Sequence, residues 1–182
     1  EVARGVPGGV FVPDFGVLLG VAVDATHHAG ERFANHQVTL LSDWYGVTEF
    51  VDHVGVPVVL HDCGTPRWDL LEHLPGVAYS IDITTPSATD LDGIGMLVDR
   101  GGVLLAGRVP STAPDRPLAA EHVATELAAL TDRIGLDRKV LSDNVIVTPT
   151  CGLAGASAKW AKTALAITAE AGQLLGSDPS AL

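Results

Sequence analysis

At 182 residues the chain suits one domain, and 47% hydrophobic against 18% charged residues is ample apolar material for a core. Its 22 acidic and 11 basic residues leave a formal net charge of −11, which excludes a surface built to neutralise a phosphate backbone, so no nucleic acid is expected as a partner. No run reaches the roughly 18 uninterrupted apolar residues of a membrane span, the most apolar being 17–23, so no membrane is expected and the protein is read as soluble and cytoplasmic.

The chain opens on Glu1 in what reads as the middle of an element, the pattern of a sequence that lacks its beginning or was cut from a longer one. Residues 8–12 (GGVFV) read as a strand and 13–16 (PDFG) as its exit loop. His27, His28 and Glu31 contain an i, i+4 pair that suits a small metal cluster, although a solvated polar loop is the simpler reading. Residues 38–53 suit a helix capped at Ser42, with apolar positions at Val47, Phe50, Val51 and Val54 and with His53 as a cation near its C-terminus.

From residue 56 onward, short β-rich runs alternate with helical patterns, the signature of βα units feeding a parallel sheet. Residues 56–60 (VPVVL) lead into His61, Asp62, Cys63 and Gly64. A short helix over 68–74 follows, then 77–81 (VAYSI) leading into Asp82. A helix over 90–100 has Asp90 as cap and Gly101-Gly102 as stop. Residues 103–106 (VLLA) empty into 107–111 (GRVPS), and 118–134 carries Val123, Leu127, Leu130 and Ile134 on one helical face. Residues 145–148 (VIVT) empty into 149–152 (PTCG), and a last helix over 157–175 ends in a frayed tail, 176–182.

In parallel α/β architectures the loops at the strand carboxyl ends share one face, and functional groups collect there. His61, Cys63, Asp82 and Cys151 all fall at or just beyond such ends, and His61 and Cys63, two apart, share a side if the strand continues. Thiolate, imidazole and carboxylate suit zinc, which lowers the pKa of a thiol and yields a thiolate nucleophile at neutral pH. The bland alternative is that both cysteines are small buried apolar residues. A single disulfide between them, 88 positions apart, has no cysteine-dense secreted scaffold to support it. Arg108, after its strand, suits a bidentate pair with a substrate carboxylate or a tie to a neighbouring acid. Gly152, Gly155 and Ser157 precede a helix N-terminus, which suits anion docking or simply a turn and a cap.

VVLHDC, a strand ending in SID, GRVPS and VTPTCGLAGAS stand in that order across about 56–175, and TPTCGLAGAS is the most specific of them. In these stretches the chain resembles the C-terminal catalytic barrel of cobalamin-independent methionine synthase, more closely its short single-barrel relatives. The resemblance implies an α/β fold of the (β/α)8 TIM-barrel type, of which this chain holds the C-terminal half to five eighths. It would form a single domain, 1–182, with 1–55 divergent. Half a barrel leaves strand edges uncovered, so either the missing half precedes Glu1 or the chain self-associates to cover them.

The resemblance also implies zinc held by His61, Cys63 and Cys151, with Asp82, one methylene shorter, where the family has Glu. The family's Gln-x-Asp-Glu-Pro motif, which helps hold the homocysteine amino group, matches 12–16 loosely and makes Asp14 a candidate substrate contact. The His that the full enzymes carry shortly before R-V-P-S, a proton-transfer candidate, is absent, and 104–108 (LLAGR) stand there.

The implied activity is that of a methyltransferase in methionine biosynthesis: zinc-dependent methyl transfer to a thiol, homocysteine giving methionine, from a donor such as methyltetrahydrofolate. The alternatives are a truncated, non-catalytic half-barrel whose metal site is structural, and a metal-free uroporphyrinogen decarboxylase-like enzyme. The latter needs basic residues over a tetrapyrrole, and so acidic a chain argues against it.

Overall fold

The computed structural model describes residues 19–22, 51, 57–62 and 64–182. Along them run β1 (Leu19–Ala22), β2 (Val58–Asp62), α1 (Trp68–Leu71), β3 (Ala78–Asp82), α2 (Ala88–Asp99), β4 (Leu104–Val109), α3 (Ala120–Ile134), α4 (Val140–Asp143), β5 (Val145–Pro149) and α5 (Ala158–Ser177). Short 3-10 turns occupy Leu153–Gly155 and Pro179–Ala181. The chain is α/β, with β1 parallel to β2 and β4 parallel to β5. The strand expected at 8–12, its loop, Asp14, His27, His28, Glu31, His53 and Cys63 lie outside the described residues, and the helix expected over 38–53 is described at Val51 alone, which is helical. No helix among the described residues is long and apolar enough to cross a membrane.

Two compact units divide the chain between Ser80 and Ile81. In the first, β1 and β2 pair in the register Leu19↔Val58 to Ala22↔His61. Val58, Val59 and Leu60 are all buried, the pattern of a parallel strand covered on both faces. β2 runs two residues beyond the expected end, because backbone pairing continues through His61 and the strand takes in Asp62. Trp68, Leu70 and Leu71 of α1 are buried, and the Trp68 ring meets Tyr79 of β3 edge to face at 5.3 Å and 78°.

In the second unit, β4 and β5 pair from Leu104↔Val145 to Gly107↔Thr148, and the register then slips so that Val109 faces Pro149. Arg108 is the extra residue of this β-bulge, so it sits inside a strand rather than in the expected exit loop. Gly107 is required by space: a Cβ there would lie 2.6 Å from the Ile81 carbonyl oxygen and 3.0 Å from Thr150 Cα.

The helix caps refine the sequence reading. Ser87, not Asp90, caps α2; the two form a reciprocal capping box in which Ser87 Oγ accepts from Asp90 N and Asp90 Oδ2 accepts from Ser87 N. The expected apolar face of α3 is buried at Val123, Leu127 and Leu130. Gly135, at φ +85°, closes that helix, and both Gly135 N and Leu136 N donate to the Thr131 carbonyl. The tail expected to fray instead caps on Asp178, and Arg138 Nη1 donates to the Leu182 carbonyl.

Candidate functional site

At the end of β2, His61 is half-buried and its Nδ1 lies 2.9 Å from Ser80 Oγ of β3. Burial, the largest influence, pushes the imidazole below its ordinary pKa of 6.5, against the opposing pull of the Asp62 charge and of hydrogen bonding to the Ser80 main chain. The ring is therefore neutral at pH 7, the state a metal requires.

Strand alternation turns Asp62 to the opposite side from His61. It is 3% exposed, and a carboxylate so buried needs partners. Gly64 N donates to Oδ1 at 2.8 Å and Tyr79 OH donates to Oδ2 at 3.2 Å. The same hydroxyl accepts from Arg67 N at 2.7 Å. One carboxylate and one phenol thus tie the end of β2 to the backbone at Gly64 and Arg67. Burial first, then the Asp62 charge, raises the Tyr79 pKa, so the phenol stays protonated and donating.

Asp82 closes β3 and is exposed. Its Oδ1 accepts from Thr84 N at 2.8 Å and from Thr84 Oγ1 at 2.7 Å. The turn holds the carboxylate through one oxygen.

The loops after β4 and β5 are stapled together. Thr150 N donates to the Val109 carbonyl at 2.8 Å, Ser111 N to Thr150 Oγ1 at 3.2 Å, and Trp160 Nε1 to the Pro110 carbonyl at 3.0 Å. Cys151, the next residue, is exposed at the strand's carboxyl end and not the buried inert thiol of the alternative reading. Ser157 caps α5 by accepting from Trp160 N, which matches the cap reading of the glycine-rich turn.

Arg108 makes the second of the two contacts weighed for it, a tie to a neighbouring acid. Its Nη2 lies 2.5 Å from Glu126 Oε1 of α3, and His122 lies 3.4 Å from the other oxygen. A substrate carboxylate at Arg108 would have to displace Glu126. Residues Leu104, Leu105 and Ala106, where a proton-transfer His was absent from the sequence, are buried strand.

The described donors fit zinc by kind: a neutral imidazole, a carboxylate with one oxygen held, and an accessible thiol. Among the described residues no group of three or more His, Cys, Asp or Glu side chains gathers as for a metal ion, a set that does not include Cys63. Sequence reasoning passed over Asp62, Tyr79, Ser80, Thr84 and Trp160. Thr84, two residues after a strand-end Asp, was the one with a local signal.

The sequence model of the family described as "Cobalamin-independent synthase, Catalytic domain" matches residues 42–173, more than two thirds of the chain. No curated protein matches it.

Proposed function

The chain belongs to the cobalamin-independent synthase catalytic-domain family, and from that membership we propose that it moves a methyl group onto a small thiol, homocysteine giving methionine, at a zinc centre. The donor would be a methylated folate or a similar N-methyl compound, and the strands would be the C-terminal portion of a (β/α)8 barrel. The observation that carries the reading is that His61, Asp82 and Cys151 each sit at or just past the carboxyl end of a strand within the matched span.

His61, Cys63 and Cys151 would hold the metal, with Asp82 as the fourth, weaker ligand. When bound, zinc supplies the Lewis acidity that lowers a substrate thiol's pKa into the neutral range. His61 arrives neutral and needs no proton removed before it donates. Asp82 is held by Thr84 through Oδ1, which limits its reorientation while a substrate sulfur enters. The transfer forms an S–CH3 bond and breaks the donor's N–CH3 bond, and the departing nitrogen takes the electron pair and then a proton. Residues 104–107 (LLAG) offer no side chain to deliver that proton. Asp14 and Arg108 stay candidate substrate contacts, Arg108 by exchange of Glu126.

That missing proton donor favours one second reading, a non-catalytic chain with a structural metal. Metal analysis of wild type against His61→Ala, Cys63→Ser and Cys151→Ser tests the first. Stoichiometric zinc is expected in wild type and lost in each variant, and a zinc-free wild type refutes the proposal. X-ray absorption separates the two readings: homocysteine adds a sulfur to the metal shell if the chain is catalytic, and leaves the shell unchanged if the metal is structural.

A further inference from the structure

The hydrogen bond between His61 and Ser80 joins two strands across 19 residues of sequence, inside one compact unit. It is made by Nδ1, so it decides which of the two ring nitrogens has its lone pair for another partner. Ser80 is 7% exposed, so water does not compete freely for its hydroxyl. A hydroxyl can accept or donate, so this contact accommodates either tautomer. Only with Nδ1 protonated and Ser80 Oγ accepting does Nε2 carry the lone pair that a metal needs.

We propose that Ser80 is the positioning residue for His61: its hydroxyl accepts the Nδ1 proton, fixes the tautomer and ring orientation, and so makes Nε2 the zinc-donating nitrogen. The inference rests on the zinc reading above. Asp62 does not share the task, because strand alternation turns it to the other side of β2, where Gly64 and Tyr79 hold it. Partners that fix the non-ligating nitrogen of a metal-bound His typically govern metal affinity by about 10- to 100-fold.

The test has a metal-free arm and a metal arm. Long-range 15N–1H spectra of the metal-free full chain, with the His61 signals identified by their loss in His61→Gln, report the tautomer directly. Protonated Nδ1 is expected in wild type and in Ser80→Thr, which keeps the hydroxyl, and an Nε2–H tautomer in wild type overturns the proposal even if no variant folds. Zinc affinity is then measured by competition with a chromophoric chelator. Ser80→Ala is expected to bind about 10- to 100-fold more weakly, with recovery in Ser80→Thr. If wild type binds zinc through His61 and Ser80→Ala binds it equally well, this inference fails alone. If wild type binds no zinc, the metal reading fails and takes the inference with it.

Discussion

Replacing Tyr79 by Phe tests whether the phenol holds Asp62, the residue after the candidate ligand His61. The substitution keeps the ring against Trp68 and deletes only the hydroxyl. Two hydrogen bonds go with it: the donation to Asp62 Oδ2 at 3.2 Å and the acceptance from Arg67 N at 2.7 Å. An unsatisfied buried group costs about 1–3 kcal/mol, with charged groups at the upper end. Asp62, 3% exposed, keeps Gly64 N but loses its second donor, a loss of about 2–3 kcal/mol. Arg67 is only half-buried and water replaces part of its bond, so its share is about 1 kcal/mol or less. Urea unfolding should show about 2–4 kcal/mol lost with an unchanged m-value. A loss under about 0.5 kcal/mol would refute the clamp.

The same hydroxyl predicts an alkaline limb. Its pKa is raised in the folded state from the ordinary 10.0, so the folded chain holds the proton after the unfolded chain releases it. Stability from this group is complete below pH 10 and falls as pH rises beyond it, by up to about 1.4 kcal/mol per unit. Tyr79→Phe should flatten that limb relative to wild type. An identical slope in both proteins would count against a buried, Asp62-facing phenol.

Gly107→Ala should destabilise by about 2–4 kcal/mol, because the new methyl meets main-chain atoms of Ile81 and Thr150 that cannot rotate away; a melting temperature within 2 °C of wild type, measured by calorimetry, would contradict the close approach. Thr148→Val should be neutral or stabilising by up to about 1–2 kcal/mol in urea unfolding, since the Thr148 hydroxyl is buried without a hydrogen-bond partner among the described residues; a clear loss of stability would reveal a partner it does have. Ser87→Ala removes one half of the α2 capping box and should cost about 1 kcal/mol by the same measurement, with no loss refuting the box.

The α/β alternation was legible because parallel strands covered on both faces must be runs of Val, Ile and Leu, and such runs stand out in this chain. Their ends were less legible. His61, Asp62 and Arg108 are polar and read as loop, yet β2 runs through the first two and β4 through the third. Asp90, an acid at the start of the expected helix, suits a cap, whereas Ser87, three positions earlier, is the cap and Asp90 its reciprocal partner. α4, four residues long, is too short to show a period. The tail's contact with Arg138, more than forty residues upstream, is one that no local pattern encodes.

For the site, residue type and place were readable and the supports were not. His, Cys and Asp at strand ends announce themselves once the strands are taken as parallel, since functional groups of parallel α/β architectures collect at strand carboxyl ends. Apart from Thr84 on Asp82, the contacts at these strand ends come from elsewhere in the chain: Ser80 on His61 from 19 residues away, Tyr79 on Asp62 from 17, Ser111 on Thr150 from 39. Asp62 looked like the spacer of a His-x-Cys motif. Yet a period of two means Asp62 faces the opposite side of the strand from His61, and in a strand buried on both faces that side is interior. A carboxylate there must be satisfied or the strand end does not form. The sequence HDC therefore carried a second requirement besides two candidate ligands, a donor from the adjacent strand, and Tyr79, one position before Ser80, is that donor. Adjacent residues of β3 thus serve opposite faces of β2: Ser80 steadies the imidazole, and Tyr79 steadies the backbone that leads to position 63.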